Sequence, residues 1–174
     1  MSDAPGVKRV ELVQLSPAVL HALADGDLDR ANRVAPVALT PYLVGPECRG
    51  TWRRRAGQVD ADPAVADWVT GVVVDSDRGL AVGRAGFHAP PDTAGMVEVG
   101  YAVDPAHRRQ GYARAALVAL LDRARREPAV RTVRATIRPD NDASSRLVTA
   151  YGFVAVGEQW DDEDGLETVF ERPS

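Results

Sequence analysis

Two groups of residues in this sequence have types and spacing suited to chemistry. The first is Arg108-Arg109-Gln110-Gly111-Tyr112-Ala113-Arg114, a glycine-containing, arginine-rich turn set between a strand-like segment and an amphipathic one. Backbone N–H groups at a helix start lack partners within the helix, and the helix dipole adds partial positive charge there. Phosphate is the natural occupant of such a place. Gly111 lets backbone approach a ligand closely, Ala113 keeps the first turn small, and Arg108, Arg109 and Arg114 add charge suited to a polyanion. The plainer alternative is an arginine-rich cap that meets only solvent. No G-x-G-x-x-G follows a first strand and no G-x-x-x-x-G-K-[ST] occurs, which excludes those two nucleotide turns.

The second group is Glu98 with Gly100 and Ala102, on one face of the alternating segment Val97-Glu98-Val99-Gly100-Tyr101-Ala102-Val103. An acid flanked by small residues leaves space for a substrate, and partial burial would raise its pKa towards the range a general base needs. An exposed or ion-paired strand glutamate is the ordinary reading. Gly100 reads as a β-bulge, or as a glycine tolerated under helix packing. His88 and His107 are loop histidines by default, with His88 a second candidate base.

These residues need elements to hold them. Arg9 to Leu15 reads as a first strand, Ser16-Pro17 as a helix start running to about Ala24, and Asp27 to Ala35 as a second short helix. Thr40-Pro41 opens an irregular helical region around Trp52, and Asp62-Pro63 a short turn through Trp68. From Val69 the period becomes strand-like: a hairpin turns over Asp75 to Gly79 and returns from Leu80 to Phe87, followed by the strand that carries Glu98. Apolar positions Ala113, Ala116, Leu117, Leu120, Leu121 and Ala124 make one face of a helix over Gly111 to Arg126. Thr132 to Ile137, Phe153 to Trp160 and Leu166 to Glu171 read as strands. Asp142 to Ala150 is a helix capped by Asn141 and stopped by Gly152.

At 174 residues the chain suits one domain, 1–174, with a core that needs neither disulfides nor metal. The lone Cys48 reads as a small buried hydrophobe, since no other Cys and no clustered His could complete a zinc site. No apolar run is long enough to span a membrane and the first twenty residues lack a secretory pattern, so a cytoplasmic location is expected.

The net charge of -4 is unevenly laid out. Pro105 to Arg138 holds nine Arg against two acids, and Pro139 to Ser174 holds nine acids against two Arg. Solvated surface explains most of these, while an anionic ligand near the first and a cationic partner near the second would fit. The acidic turn Asp161, Asp162, Glu163 and Asp164 reads as solubility or as a substrate contact. An acidic pI near 5.4 and the lack of an aromatic-basic pattern speak against nucleic acid.

Arg108-Arg109-Gln110-Gly111-Tyr112-Ala113 resembles the R/Q-x-x-G-x-G/A motif of the GNAT N-acetyltransferase superfamily, whose loop grips the coenzyme A pyrophosphate. Val97 to Tyr101 resembles that family's fourth strand. Asn141-Asp142-Ala143-Ser144-Ser145-Arg146-Leu147, with Gly152-Phe153 after it, resembles its N-x-x-S/A-x-x-L and Gly-Phe segment. The resemblance is sharp from Val97 to Glu158. The amino-terminal pattern is similar to the RimJ/RimL-type branch that acetylates ribosomal-protein N-termini.

The resemblance implies an α/β (α+β) fold: a mixed, mostly antiparallel sheet of about six to seven strands, flanked by helices and splayed between strands 4 and 5. It implies acetyl-CoA as donor, no metal, and an amine acceptor such as a protein N-terminus or a small molecule, in a monomer or homodimer. Carried over by position, Tyr101, Ala102 and Val103 would offer backbone to the pantetheine arm and the thioester carbonyl. Arg108, Arg109, Gln110, Gly111, Tyr112, Ala113 and Arg114 would hold the diphosphate, and Asn141 would touch the arm while capping its helix.

Acetyl transfer to an amine needs a neutral amine, a donor for the oxyanion and a proton for the departing thiolate. Reference pKa values near ~8 for an α-amine and ~10.4 for lysine mean that either acceptor arrives mostly protonated. Glu98 stands where many of these enzymes carry their acidic base. Many also carry Tyr directly after the motif leucine, where this chain has Val148. Ser144 is therefore the candidate for the coenzyme sulfur, with helix capping its other reading, and Tyr151 reads as core. Loss of that Tyr leaves room for a non-catalytic acyl-CoA-binding module.

Overall fold

The computed structural model describes residues 7–174. Seven strands form one sheet in the order β1-β2-β3-β4-β5-β7-β6. They are β1 (Val10–Val13), β2 (Gly71–Asp75), β3 (Leu80–Phe87), β4 (Met96–Val103), β5 (Thr132–Ile137), β6 (Val154–Asp161) and β7 (Gly165–Pro173). All pairings are antiparallel except β4 with β5. The mixed sheet agrees with the sequence-based expectation.

Five helices cover the two faces: α1 (Pro17–Asp25), α2 (Leu28–Val34), α3 (Pro46–Ala61), α4 (Tyr112–Arg126) and α5 (Asp142–Ala150). Apolar residues of α1 and α3 pack with Val72, Val74 and Ala81 into one core. On the opposite face, Tyr112, Leu117 and Leu120 of α4 and Val148 of α5 pack with Val82, Phe87, Val97 and Val99 into another. The sheet is the middle of three layers, with an apolar core on each face.

Local chemistry sets the helix ends. Ser16 accepts from the Val19 amide, Pro17 follows it, and Gly26 stops α1 at φ +77°. The third helix departs from the sequence reading. Thr40-Pro41 opens only a single turn, Pro41–Val44, and Gly45-Pro46 restarts the chain as a regular sixteen-residue helix. Its buried positions, Cys48, Thr51, Trp52, Arg55, Ala56 and Val59, follow the helical period. Arg55 and Thr51 in that stripe disguised it as irregular. Trp52 is fully buried and donates its indole N–H to the Leu43 carbonyl at 2.7 Å, tying the two pieces together. Cys48 is buried, as expected.

β4 and β5 pair only at Met96, Val97 and Glu98, opposite Thr132, Val133 and Arg134. Beyond Glu98 the strands diverge, although β4 continues to Val103 and β5 to Ile137. The edge of β4 that faces β5 is therefore unpaired over its second half, which is the splay the sequence resemblance implied. Gly100 is not a bulge. The β3–β4 register runs unbroken from Gly83 opposite Val103 to Phe87 opposite Val99. Register shifts lie instead between β2 and β3, at Val73 and Val74, and between β6 and β7, at Ala155 and Gly157.

Candidate active site

The helix α4 begins where two residues take left-handed backbone. Arg109 has φ +59° and Gly111 φ +91°, so the chain turns sharply just before the helix. No side chain caps Gly111, leaving the N–H groups of the first turn of α4 free of helix partners. Upstream, Asp104 accepts from the Ala106 amide at 2.9 Å, and Arg108 Nε donates to the Val103 carbonyl at 3.1 Å, fixing the loop to the end of β4.

A cleft of about 760 Å³ opens in front of this helix head. Its walls bring together Tyr101, Ala102 and Val103 of β4, Arg108, Arg109, Gly111, Ala113 and Arg114 of the loop and α4, and Asn141 and Ser144 of α5. Gln110 lines an adjoining hollow with Lys8 and Arg9, which meets the cleft at Arg109, Gly111 and Arg114. Tyr112 reaches the cleft only with its main chain, because its side chain is 1% exposed and its hydroxyl is bonded to Asp75. Arg114 Nε donates to the Tyr151 hydroxyl at 2.6 Å, which joins the start of α4 to the end of α5 and gives Tyr151 a polar task beside its packing.

Asn141 caps α5 by accepting from the Ser144 amide at 3.2 Å, leaving the Ser144 hydroxyl to the cleft. Val148 is fully buried. The Tyr101 hydroxyl was not singled out by the sequence. It is buried and has no hydrogen-bond partner among the described residues. Burial pushes its pKa up, and the neighbouring Ser144 draws it the other way.

Glu98 lies on the opposite face of β4 from Tyr101, as strand alternation requires. Its side chain is 19% exposed, accepts from Thr136 Oγ1 at 2.5 Å, and sits 3.4 Å from His88 Nδ1. Gly100 makes room for that histidine: a Cβ at this position would come within 2.7 Å of His88 Nε2. Desolvation, with Arg55, Arg54 and Arg84 around it, holds the His88 pKa down to about 4. The ring is neutral at neutral pH. On the acidic hairpin, Asp161 accepts from the Glu163 and Asp164 amides and so serves the turn itself, while Glu163 pairs with Arg54 of α3.

Sequence reading missed Arg55 and Arg84. Arg55 hides at a buried helix position and Arg84 in an otherwise apolar strand. A charged residue at either place is the only hint, and it does not tell an ion pair from a ligand site.

The sheet order, the splay beyond Glu98 and the uncapped head of α4 define an acyltransferase-type fold. A family model described as acetyltransferase (GNAT) domain matches residues 9–154, and the chain belongs to that family. It is similar to the uncharacterized N-acetyltransferase YjdG of Bacillus subtilis, 34% identical over 83 residues that cover 48% of this chain and 49% of the relative. It is also similar to the L-2,4-diaminobutyric acid acetyltransferase of Streptomyces anulatus, 42% identical over 66 residues, 38% of each chain. The chain thus spans about half the length, or less, of these curated relatives. Mycobacterium smegmatis RimJ in complex with CoA-disulfide shares the fold at a TM-score of 0.66 and 18% identity, over 95% of this chain and 82% of that one. Among the described residues no helix is long and apolar enough to cross a membrane, and no cluster of side chains could hold a metal ion.

Proposed function

We propose that the chain transfers the acetyl group of acetyl-CoA to a primary amine by direct attack in a ternary complex. The carrying observation is the shared cleft: free amides at the head of α4 and the unpaired edge of β4 border one space. In this reading the amides after Gly111, with Arg108 and Arg109, hold the diphosphate. The β4 backbone from Tyr101 to Val103 lines the thioester end, where the N–H groups of Tyr101 and Val103, on the edge away from β3, stabilise charge developing on the carbonyl oxygen, an effect of a few kcal/mol in general.

Glu98 takes the proton of the attacking amine, held in orientation by Thr136. Ser144 and the unpartnered Tyr101 hydroxyl supply the proton to the departing thiolate, the position of the usual tyrosine being filled by buried Val148. That same Val148 favours a second reading, an acyl-CoA-binding module without turnover. Thiol release from acetyl-CoA with a panel of primary amines separates the two. Glu98→Gln should lower turnover about a hundredfold while CoA binding persists. Thiol release absent from wild-type protein that binds CoA would leave only the second reading.

A further inference from the structure

Resting on the acetyl-transfer reading, we infer that the acceptor carries a carboxylate close to its reacting amine, and that Arg55 and Arg84 are the residues that grip it. Cross-strand register puts Arg84 opposite Ala102 and Gly86 opposite Gly100, so Arg84 and the Glu98-Gly100-Ala102 row share one face of the sheet, beneath α3. Arg55 reaches that face from α3. It is only 6% exposed and spends Nε on Thr70 Oγ1 and Nη1 on Gln58 and the His88 carbonyl, while Nη2 makes no hydrogen bond among the described residues. The His88 amide in turn donates to the Glu98 carbonyl at 2.8 Å, so Arg55 and the candidate base both meet His88.

Neither cation has a carboxylate at ion-pair distance among the described residues. Arg84 donates from Nη2 to the Glu47 carbonyl, yet its Nε is buried and unpartnered. Buried guanidinium groups are costly without an anion. Burial first, then the nearby Arg54 and Arg84, pull the Arg55 pKa down to about 10. Arg54 pairs with Glu163, while Glu98 and Asp161 act on the cluster without touching Arg55 or Arg84. The two guanidinium groups keep donors to spare beside the place where the amine must arrive. A polyamine offers those donors no acceptor. An amino-acid-like acceptor brings the missing anion, and its carboxylate can take Nη2 of Arg55 and Nε of Arg84 as charge-assisted donors.

Purified protein with saturating acetyl-CoA tests this by comparing amino acids that bear a free amine with their methyl esters, and with a polyamine. Acids should be preferred over esters by at least about tenfold in kcat/KM, the worth of a hydrogen bond to a charged group. Arg84→Gln should collapse the acid-to-ester ratio towards one, and Arg55→Gln should do the same if it folds. A binding arm reads the grip without turnover: CoA-loaded protein should bind an N-acetyl amino acid and not its methylamide by calorimetry. Equal use of acids and esters, or equal binding of the two products, overturns the carboxylate grip while acetyl transfer stands. Bound CoA with product discrimination but no thiol release refutes acetyl transfer and leaves the grip.

Discussion

The Tyr112 hydroxyl donates to Asp75 Oδ2 at 2.5 Å, and both residues are buried, at 1% and 2% exposure. The other oxygen of that carboxylate accepts from the amides of Asp77 and Arg78 at 2.9 and 3.0 Å, closing the β2–β3 turn. One carboxylate therefore fastens the first residue of α4 to a hairpin two strands away, and fixes how far the helix head projects into the cleft.

Tyr112→Phe removes a buried donor and leaves an anion short of a partner, which costs about 1.5–3 kcal/mol. Urea denaturation at pH 7 should show the loss. The Tyr112 hydrogen bond first, then the turn amides, hold the Asp75 pKa below its ordinary value. A depressed carboxylate gives stability that is full above the unfolded value and lost as pH falls through the folded one. The variant should accordingly lose less stability than the wild type on going from pH 7 to pH 3, and equal losses would contradict the assignment.

Gly111 stands at φ +91° in open space, its nearest neighbour to a Cβ being Lys8 Cγ at 3.7 Å. Gly111→Ala thus meets no clash, only the backbone penalty of about 1–2 kcal/mol for a side chain in left-handed conformation. Thermal denaturation should report that modest loss. Calorimetry should report weaker CoA binding, because relief of the strain rotates the amides at the helix head; undiminished affinity would show that these amides do not hold the diphosphate.

Much of this architecture was legible because local rules and global fold agree. Ser16-Pro17, the period of α4, Asn141 and the alternation of β4 each specify their element within a few residues. The loop at Gly111 was legible for the same reason, since its chemistry is written in consecutive residues. What escaped is what depends on distant segments meeting. Nothing near Tyr112 in sequence announces Asp75, and the side chain that looked like a ligand contact turns inward. From sequence alone Gly100 reads as a bulge or as a glycine tolerated under helix packing, because a strand glycine often marks broken pairing. Here it yields to the ring of His88, a partner twelve residues away that only the β3–β4 pairing brings over it. Arg55 and Arg84 were opaque because the burial that makes them informative is a property of the packed layers.

Gly100→Ala follows from that contact. The added methyl would stand 2.7 Å from His88 Nε2, so the ring must swing away and lose its approach to Glu98. Since β4 is otherwise unstrained at this position, folding should survive, and kcat should fall by about one to two decades, the scale of a small misplacement at a reacting centre. The double variant Gly100→Ala with His88→Ala should be no slower than His88→Ala alone, a cycle that assigns the loss to the displaced ring. Additive losses would place the defect in β4 instead.

His88 itself gives a prediction whose sign can be worked through. Its folded pKa of about 4 lies below the ordinary histidine value, the first cause being desolvation and the next the cations Arg55, Arg54 and Arg84. Between about pH 6.5 and pH 4 the unfolded chain binds a proton here that the folded protein refuses, so stability rises with pH across that window and is full above it. Removing a neighbouring cation should relax the refusal. In Arg84→Gln, the His88 titration followed by NMR should move upward from about 4, and the thermal midpoint should depend less on pH between 4 and 6.5 than in the wild type. Unshifted titration would mean that desolvation alone excludes the proton. A neutral imidazole 3.4 Å from Glu98 can hold that carboxylate in orientation through its ring nitrogen.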